Sequence, residues 1–298
     1  MTGDARRFVI IWPHVIGRCR VRQALIDEFS YASEAHSLGR ILAIRAVETM
    51  SGQPFLKKLY LDYQRENLPP ESFWGEVINR LDLDVKIHAG TLQNVPATGP
   101  LVVVANHPYG VLDGIVICWL VAQRRRDFKI LINSVLCRAR EMTDHVLPID
   151  FEPTADALET NLQSRQQARE HLEAGGVVIV FPSGGIATTP KIFARQAAEE
   201  PWAPLVGQLV RRSKAAVLPV YFDGQNSRLF QMASHVSYAM RVALIFHEVR
   251  RRIGTNLDMV IGDVMDFDTL EAHLPPKNLA KYLQSHVYRL SRFLPRAL

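Results

Sequence analysis

From residue 84 onward the chain alternates between short, nearly unbroken apolar runs and longer stretches in which apolar residues return every three or four positions. The runs are Asp84 to His88, Leu101 to Ala105, Phe128 to Ile132, Val146 to Ile149, Val177 to Phe181, Val217 to Phe222 and Met259 to Ile261. Their Val, Ile and Leu content predicts strands. Gly114 to Arg124, Ala155 to Ala174 and Trp202 to Lys214 predict helices between them, and Lys277 to Phe293 a last amphipathic helix with Lys281, Arg289 and Arg292 outward. Strands that are apolar on both faces belong in a sheet covered by helices on both sides. The fold class is therefore α/β, a mixed, largely parallel sheet flanked by helices.

Residues 1–83 have a different pattern. Helical spacing runs over Ser30 to Met50, Pro54 to Arg65 and Pro70 to Leu81, which predicts a helical N-terminal segment ahead of an α/β domain over 84–298. At 298 residues one large domain with a small appendage fits. No run of apolar residues is long enough to span a bilayer, since the richest window, Leu101 to Val121, contains Asn106, His107 and Asp113. The apolar run Phe8 to Trp12 is too short for a signal-peptide core. A cytoplasmic, reducing setting is expected.

Composition narrows the chemistry. The three cysteines, Cys19, Cys118 and Cys137, form no C-x-x-C pair, so neither a disulfide scaffold nor a thiolate metal site is expected. His247-Glu248 lacks the second histidine of H-E-x-x-H, and no dinucleotide or P-loop spacing occurs. No metal or cofactor is expected. The net charge of +5 favours an anionic neighbour. Basic clusters lie at Arg124-Arg125-Arg126, Arg211-Arg212-Lys214 and Arg250-Arg251-Arg252. They carry little aromatic interleaving, so no nucleic-acid groove is expected. Each is either an ordinary helix end, where cations are favoured, or a contact with an anionic membrane surface. The segment around Phe8 to Ile16, with Trp12, is a second candidate for dipping into that interface.

Three segments can carry chemistry. In Asn106-His107-Pro108-Tyr109-Gly110-Val111-Leu112-Asp113-Gly114 a buried strand ends at a glycine turn, which puts His107 at the carboxyl end of the sheet, where ligands gather in open α/β folds. A neutral imidazole there can take a proton from a hydroxyl if an acceptor holds its other nitrogen, and Asp113 is the nearest carboxylate. Alternatively Asp113 only caps the next helix; a cap carboxylate has a second oxygen, so both roles are compatible. In Phe181-Pro182-Ser183-Gly184-Gly185 a second strand runs into a loop whose freed amides can cradle an anion, with Thr188, Thr189, Lys191 and Arg195 nearby; a plain tight turn is the alternative. In the third, Val217 to Ser227, Pro219 suggests an edge strand or a bulge.

In this order and at these separations, Asn106-His107 with Asp113, Phe181-Pro182-Ser183-Gly184, and Leu218-Pro219-Val220 resemble motifs I, III and IV of the PlsC-like glycerolipid and lysophospholipid acyltransferases. The wording of the first and third segments is similar to the branch containing hemolysin-like and ornithine-lipid acyltransferases. The likeness covers about residues 85 to 265. It implies acyl transfer from a thioester, acyl-carrier protein or acyl-CoA, to a hydroxyl of a membrane lipid acceptor. His107 would be the base and Asp113 its orienting partner. Asn106, Gly110 and the loop Phe181, Pro182, Ser183, Gly184 and Gly185 would line the substrate, with Arg138 or Arg140 as head-group ligands and amides near Gly110 or Gly184 facing the carbonyl oxygen. Two departures stand out: five residues instead of four separate His107 from Asp113, and Ser183 replaces the commoner Glu. The second speaks against a glycerol-3-phosphate acceptor. Competing readings are a hydrolase with Ser183 as nucleophile, although the G-x-S-x-G elbow is missing, and a lipid-binding module without turnover.

Overall fold

The computed structural model describes residues 53–133, 140–150 and 153–295. The expected helix over Ser30 to Met50, the Phe8 to Ile16 segment, Cys19, Cys137 and Arg138 lie outside them. Helices α1 (Gln53–Arg65) and α2 (Phe73–Arg80) come first. A single 3-10 turn, Pro70–Ser72, replaces the start of the helix expected from residue 70.

Seven strands follow: β1 (Asp84–Ala89), β2 (Leu101–Ala105), β3 (Phe128–Asn133), β4 (Val146–Ile149), β5 (Val177–Val180), β6 (Ala216–Phe222) and β7 (Asn256–Ile261). They form one sheet in the order β1-β7-β6-β2-β5-β3-β4, parallel except where β6 meets β7. Helix α3 (Val111–Ala122) follows β2, α4 (Ala155–Glu173) follows β4 and α5 (Leu205–Ser213) precedes β6. Three short helices, α6 (Arg228–Val236), α7 (Tyr238–Ala243) and α8 (Ile245–Arg251), fill the β6–β7 connection. Helices α9 (Phe267–Glu271) and α10 (Pro276–Arg289) close the described chain. No described helix is long and apolar enough to cross a membrane.

The strict period of two along the central strands builds three layers. Leu101, Val103 and Ala105 of β2, Val177 and Ile179 of β5, and Leu218, Val220 and Phe222 of β6 face α2 and α3. Val102, Val104, Val178, Val180 and Val217 face the other way, onto α4, α5 and α10. Tyr63, Phe73, Trp74 and Ile78 pack into the first of these cores, so α1 and α2 share it with the sheet.

Pro219 is not at an edge: β6 lies inside the sheet. The β6–β7 ladder covers only Val220–Phe222, with an isolated bridge at Val217, and Pro219 falls in the gap. Its carbonyl there accepts from the Gly262 amide at 2.8 Å. The break in the ladder is what lets a residue without an N–H occupy a central strand.

Candidate active site

Register places the site. Val104 of β2 is opposite Val180 of β5, so His107 and Ser183 each stand three residues beyond one matched pair, at the carboxyl ends of adjacent central strands. Asn106 ends β2 by extending its ladder with a side chain. Its amide donates to the Phe222 carbonyl at 2.8 Å and accepts from the Phe222 N–H at 2.7 Å. Buried and doubly bonded, it fixes the backbone from which His107 projects; its expected contact with substrate gives way to this positioning role.

The next turn brings Asp113 to His107. Gly110 has φ +79°, and a Cβ there would stand 2.5 Å from Ile186, so the sharp reversal requires glycine. Helix α3 starts at Val111, earlier than the sequence pattern suggests, because Asp113 Oδ2 accepts from the N–H groups of Tyr109 at 2.7 Å and Gly110 at 2.9 Å. The same oxygen lies 3.1 Å from His107 Nδ1. One carboxylate thus caps α3 and lies close against the imidazole. That contact is off the hydrogen-bond axis, and the two groups left without aligned partners are His107 Nδ1 and Asp113 Oδ1. Burial pushes the Asp113 carboxyl above its ordinary range, opposed by His107 and the two amides. Phe181 stacks on the imidazole, centroids 4.0 Å apart, and confines its motion.

Between β5 and α5 the chain makes a long excursion closed by an antiparallel bridge, Thr188 to Ala198, and by the Ala203 N–H on the Pro182 carbonyl. That return carries Glu199 into the site, a residue that no motif flagged. Its Oε1 accepts from the His107 backbone N–H at 2.5 Å and the Ser183 hydroxyl at 3.1 Å. Its Oε2 accepts from the indole N–H of buried Trp202 at 2.9 Å. Burial raises the Glu199 carboxyl above its usual range, and those donors only partly offset it. Glu199 therefore ties the base-bearing turn to the Ser183 loop.

A hollow of about 230 Å³ opens beside this tie, lined by Ser183, Gly184, Gly185, Ile186, Thr188, Ala198, Glu200 and Arg241. The glycine loop was expected to be such a recess; its cation, Arg241 on α7, was not foreseen. Lys191 and Arg195 are exposed and do not line it. Arg140 is exposed on a 3-10 turn whose backbone N–H donates to the Tyr60 hydroxyl at 3.3 Å, away from the hollow's lining. The amides expected to face a carbonyl oxygen are engaged: Gly110 on Asp113, and Gly184 on the Phe181 carbonyl at 3.1 Å. Turns this tight close on their own hydrogen bonds.

Ser183 has no nucleophile geometry. Its hydroxyl donates to the Gly185 carbonyl at 3.0 Å and to Glu199, and its backbone is not in the strained left-handed region. Asp113 pairs with His107 alone of the two. A serine triad is therefore not assembled among the described residues.

The basic clusters also sort out. Arg125 turns inward, paired with Asp127 at 2.6 Å and donating to the carbonyls of Pro96, Gly99 and Gly175, so it staples the entrances of β2, β3 and β5 at the end of the sheet opposite His107. Arg252 lies over the Tyr109 ring, 4.5 Å from its centroid. Tyr109 in turn rests its hydroxyl where a Gly224 side chain would be, which locks the turn after His107 to the loop after β6.

Known acyltransferases resemble this chain. The family model described as Acyltransferase matches residues 86–223. Proteins named lyso-glycine lipid O-acyltransferase are similar: one from Bacteroides thetaiotaomicron is 23% identical over 219 residues, 70% of this chain and 76% of that protein. Another from Phocaeicola vulgatus is 23% identical over 223 residues, 70% of this chain and 74% of that protein. The crystal structure of the 1-acyl-sn-glycerophosphate acyltransferase PlsC from Thermotoga maritima superposes with a TM-score of 0.52 at 18% identity, covering 77% of this chain and 80% of that one. At that identity the likeness speaks for the fold.

Proposed function

We propose that this chain is a lipid acyltransferase akin to the PlsC-like enzymes, moving a fatty acyl group from a thioester, acyl-carrier protein or acyl-CoA, to the hydroxyl of a lysolipid, with His107 as base. The observation that carries this reading is an imidazole 3.1 Å from a wholly buried carboxylate, beside a polar hollow whose lining includes Arg241 and Glu200. Asp113 holds the Nδ1 proton, leaving Nε2 to accept the proton of the acceptor hydroxyl. The freed oxygen attacks the thioester carbonyl carbon, the tetrahedral intermediate collapses, the C–S bond breaks, and His107 returns the proton to the departing thiolate. The thioester is a co-substrate, and the step needs no metal or prosthetic group.

The hollow suits a compact polar head, because about 230 Å³ leaves no room for acyl chains. Arg241 can meet an anionic group on that head, and loop amides can add donors. Lysolipids with small heads, the kind named for the two relatives, are the acceptors this favours. Acceptor and product both reside in a bilayer, so the protein works as a peripheral protein at the cytoplasmic face of a membrane. The test is His107→Ala: kcat for transfer to a lysolipid should fall by about three orders of magnitude or more, with an unchanged circular dichroism spectrum. Near-normal turnover would refute the assignment.

A further inference from the structure

The loop leaving the hollow and the helix it leans on present an apolar surface with no covering element among the described residues. Helix α6 buries Phe230 and Ala233 against Leu244 and Ile245, yet leaves Leu229, Met232 and Val236 exposed on a second stripe, which Met240 of α7 continues. The tip of the 188–198 excursion adds Ile192 and Phe193, the latter 86% exposed. These parts form one surface. Thr189 N–H donates to Gln231 at 2.9 Å, the Thr189 hydroxyl pairs with His235 at 3.1 Å, and Arg228 donates to the Ala194 carbonyl. The hollow opens along the same junction, since Thr188 comes from the loop and Arg241 from α7. The loop tip and α6 carry Lys191, Arg195 and Arg228 and no Asp or Glu, while Glu200 faces Arg241 across the lining of the hollow. A stable soluble protein rarely exposes such a contiguous apolar set without use for it.

We propose that this surface, and not the basic clusters at Arg124–Arg126 and Arg211–Lys214, seats the protein on an anionic bilayer. Those two clusters lie at the entrances of β3 and β6, the far end of the sheet from His107. Phe193, Ile192 and the α6 stripe enter the headgroup–acyl boundary, and Lys191, Arg195 and Arg228 meet lipid phosphates around them. The mouth of the hollow then faces the lipid heads, so a lysolipid reaches His107 without leaving the membrane. This deepens the acyltransferase reading and rests on it for the nature of the acceptor, but the contact itself is measurable without turnover.

The experiment is co-sedimentation of the full chain with vesicles of phosphatidylcholine alone or mixed with phosphatidylglycerol. Wild type should prefer the anionic vesicles. The F193E/M232E variant should partition about tenfold or more weakly, while R211E/R212E, which changes charge more, should bind like wild type. F193E/M232E should keep its transfer rate to a detergent-dispersed acceptor. A Phe193→Trp variant supplies an independent readout, with extra fluorescence over wild type that brominated acyl chains quench. Equal binding by F193E/M232E and wild type, whatever its oligomeric mass, would overturn the proposal. So would an equal loss in R211E/R212E, or no quenching at residue 193. Loss confined to F193E/M232E in a protein lacking acyl transfer would uphold the membrane contact and refute the catalytic reading alone.

Discussion

Asp113 carries three contacts on one oxygen, and its burial makes each of them matter. A wholly buried carboxylate without compensating donors would protonate; two backbone amides and an imidazole supply the compensation. Asp113→Asn keeps an oxygen for the amides but offers the imidazole no charge, so the ring loses the partner that selects its tautomer. Transfer should fall by about two to four orders of magnitude, with a smaller change in KM, because the hollow that holds the head group is untouched. Steady-state kinetics on both substrates checks this, and a loss expressed mainly in KM would move Asp113 from the base to the binding site.

At the level of elements, the turn after β2 is held from outside by the loop after β6. Gly224 sits at φ +106°, and a Cβ on it would lie 1.8 Å from the Tyr109 hydroxyl. Gly224→Ala should therefore destabilise the fold by about 1 to 3 kcal/mol and lower activity, through displacement of Tyr109 and the turn that carries Asp113. Adding Tyr109→Phe removes the closest clash and should recover part of the loss; a thermal melt of the single and double variants decides. Much of this layer was legible in the chain. Unbroken runs such as Val177 to Val180 can only be strands buried on both faces, and the turns ending β2 and β5 follow from where those strands stop. Other parts were not legible, because they are made by contacts without periodicity. Glu199 enters through a bridge closed across an irregular excursion, and Arg241 stands on a short helix that exposes Met240 and buries Ala243. The place of Pro219 was missed for a related reason: a gap in one ladder is a property of two strands, and only one of them was in view.

Across the whole molecule, the sheet sets its permanent charges at the two ends to different tasks. At the entrance of the strands Arg125 and Asp127 neutralise each other and hold the Asp127 carboxyl below its ordinary value through a paired guanidinium. At the exit, burial holds the Asp113 and Glu199 carboxyls above theirs. The signs oppose each other in stability. A carboxyl raised on folding means that the native state binds more protons than the unfolded chain from the ordinary carboxylate value up to the raised one, so stability falls as pH rises through that window. The catalytic end thus weakens the fold toward neutral pH while the entrance staple retains its contribution there, since a lowered carboxyl loses stability only in acid. Glu199→Gln removes one of the two raised groups and keeps an oxygen for one of the two donors, the His107 amide or the Trp202 indole, which bond to different oxygens of the carboxylate. Its melting temperature should consequently decline less steeply than that of wild type as pH rises above the ordinary carboxylate value. Asp127→Asn should do the reverse, losing its deficit only as the pH drops through the carboxylate range. Parallel melting curves for wild type and Glu199→Gln above the ordinary carboxylate value would mean that folding does not raise the Glu199 carboxyl.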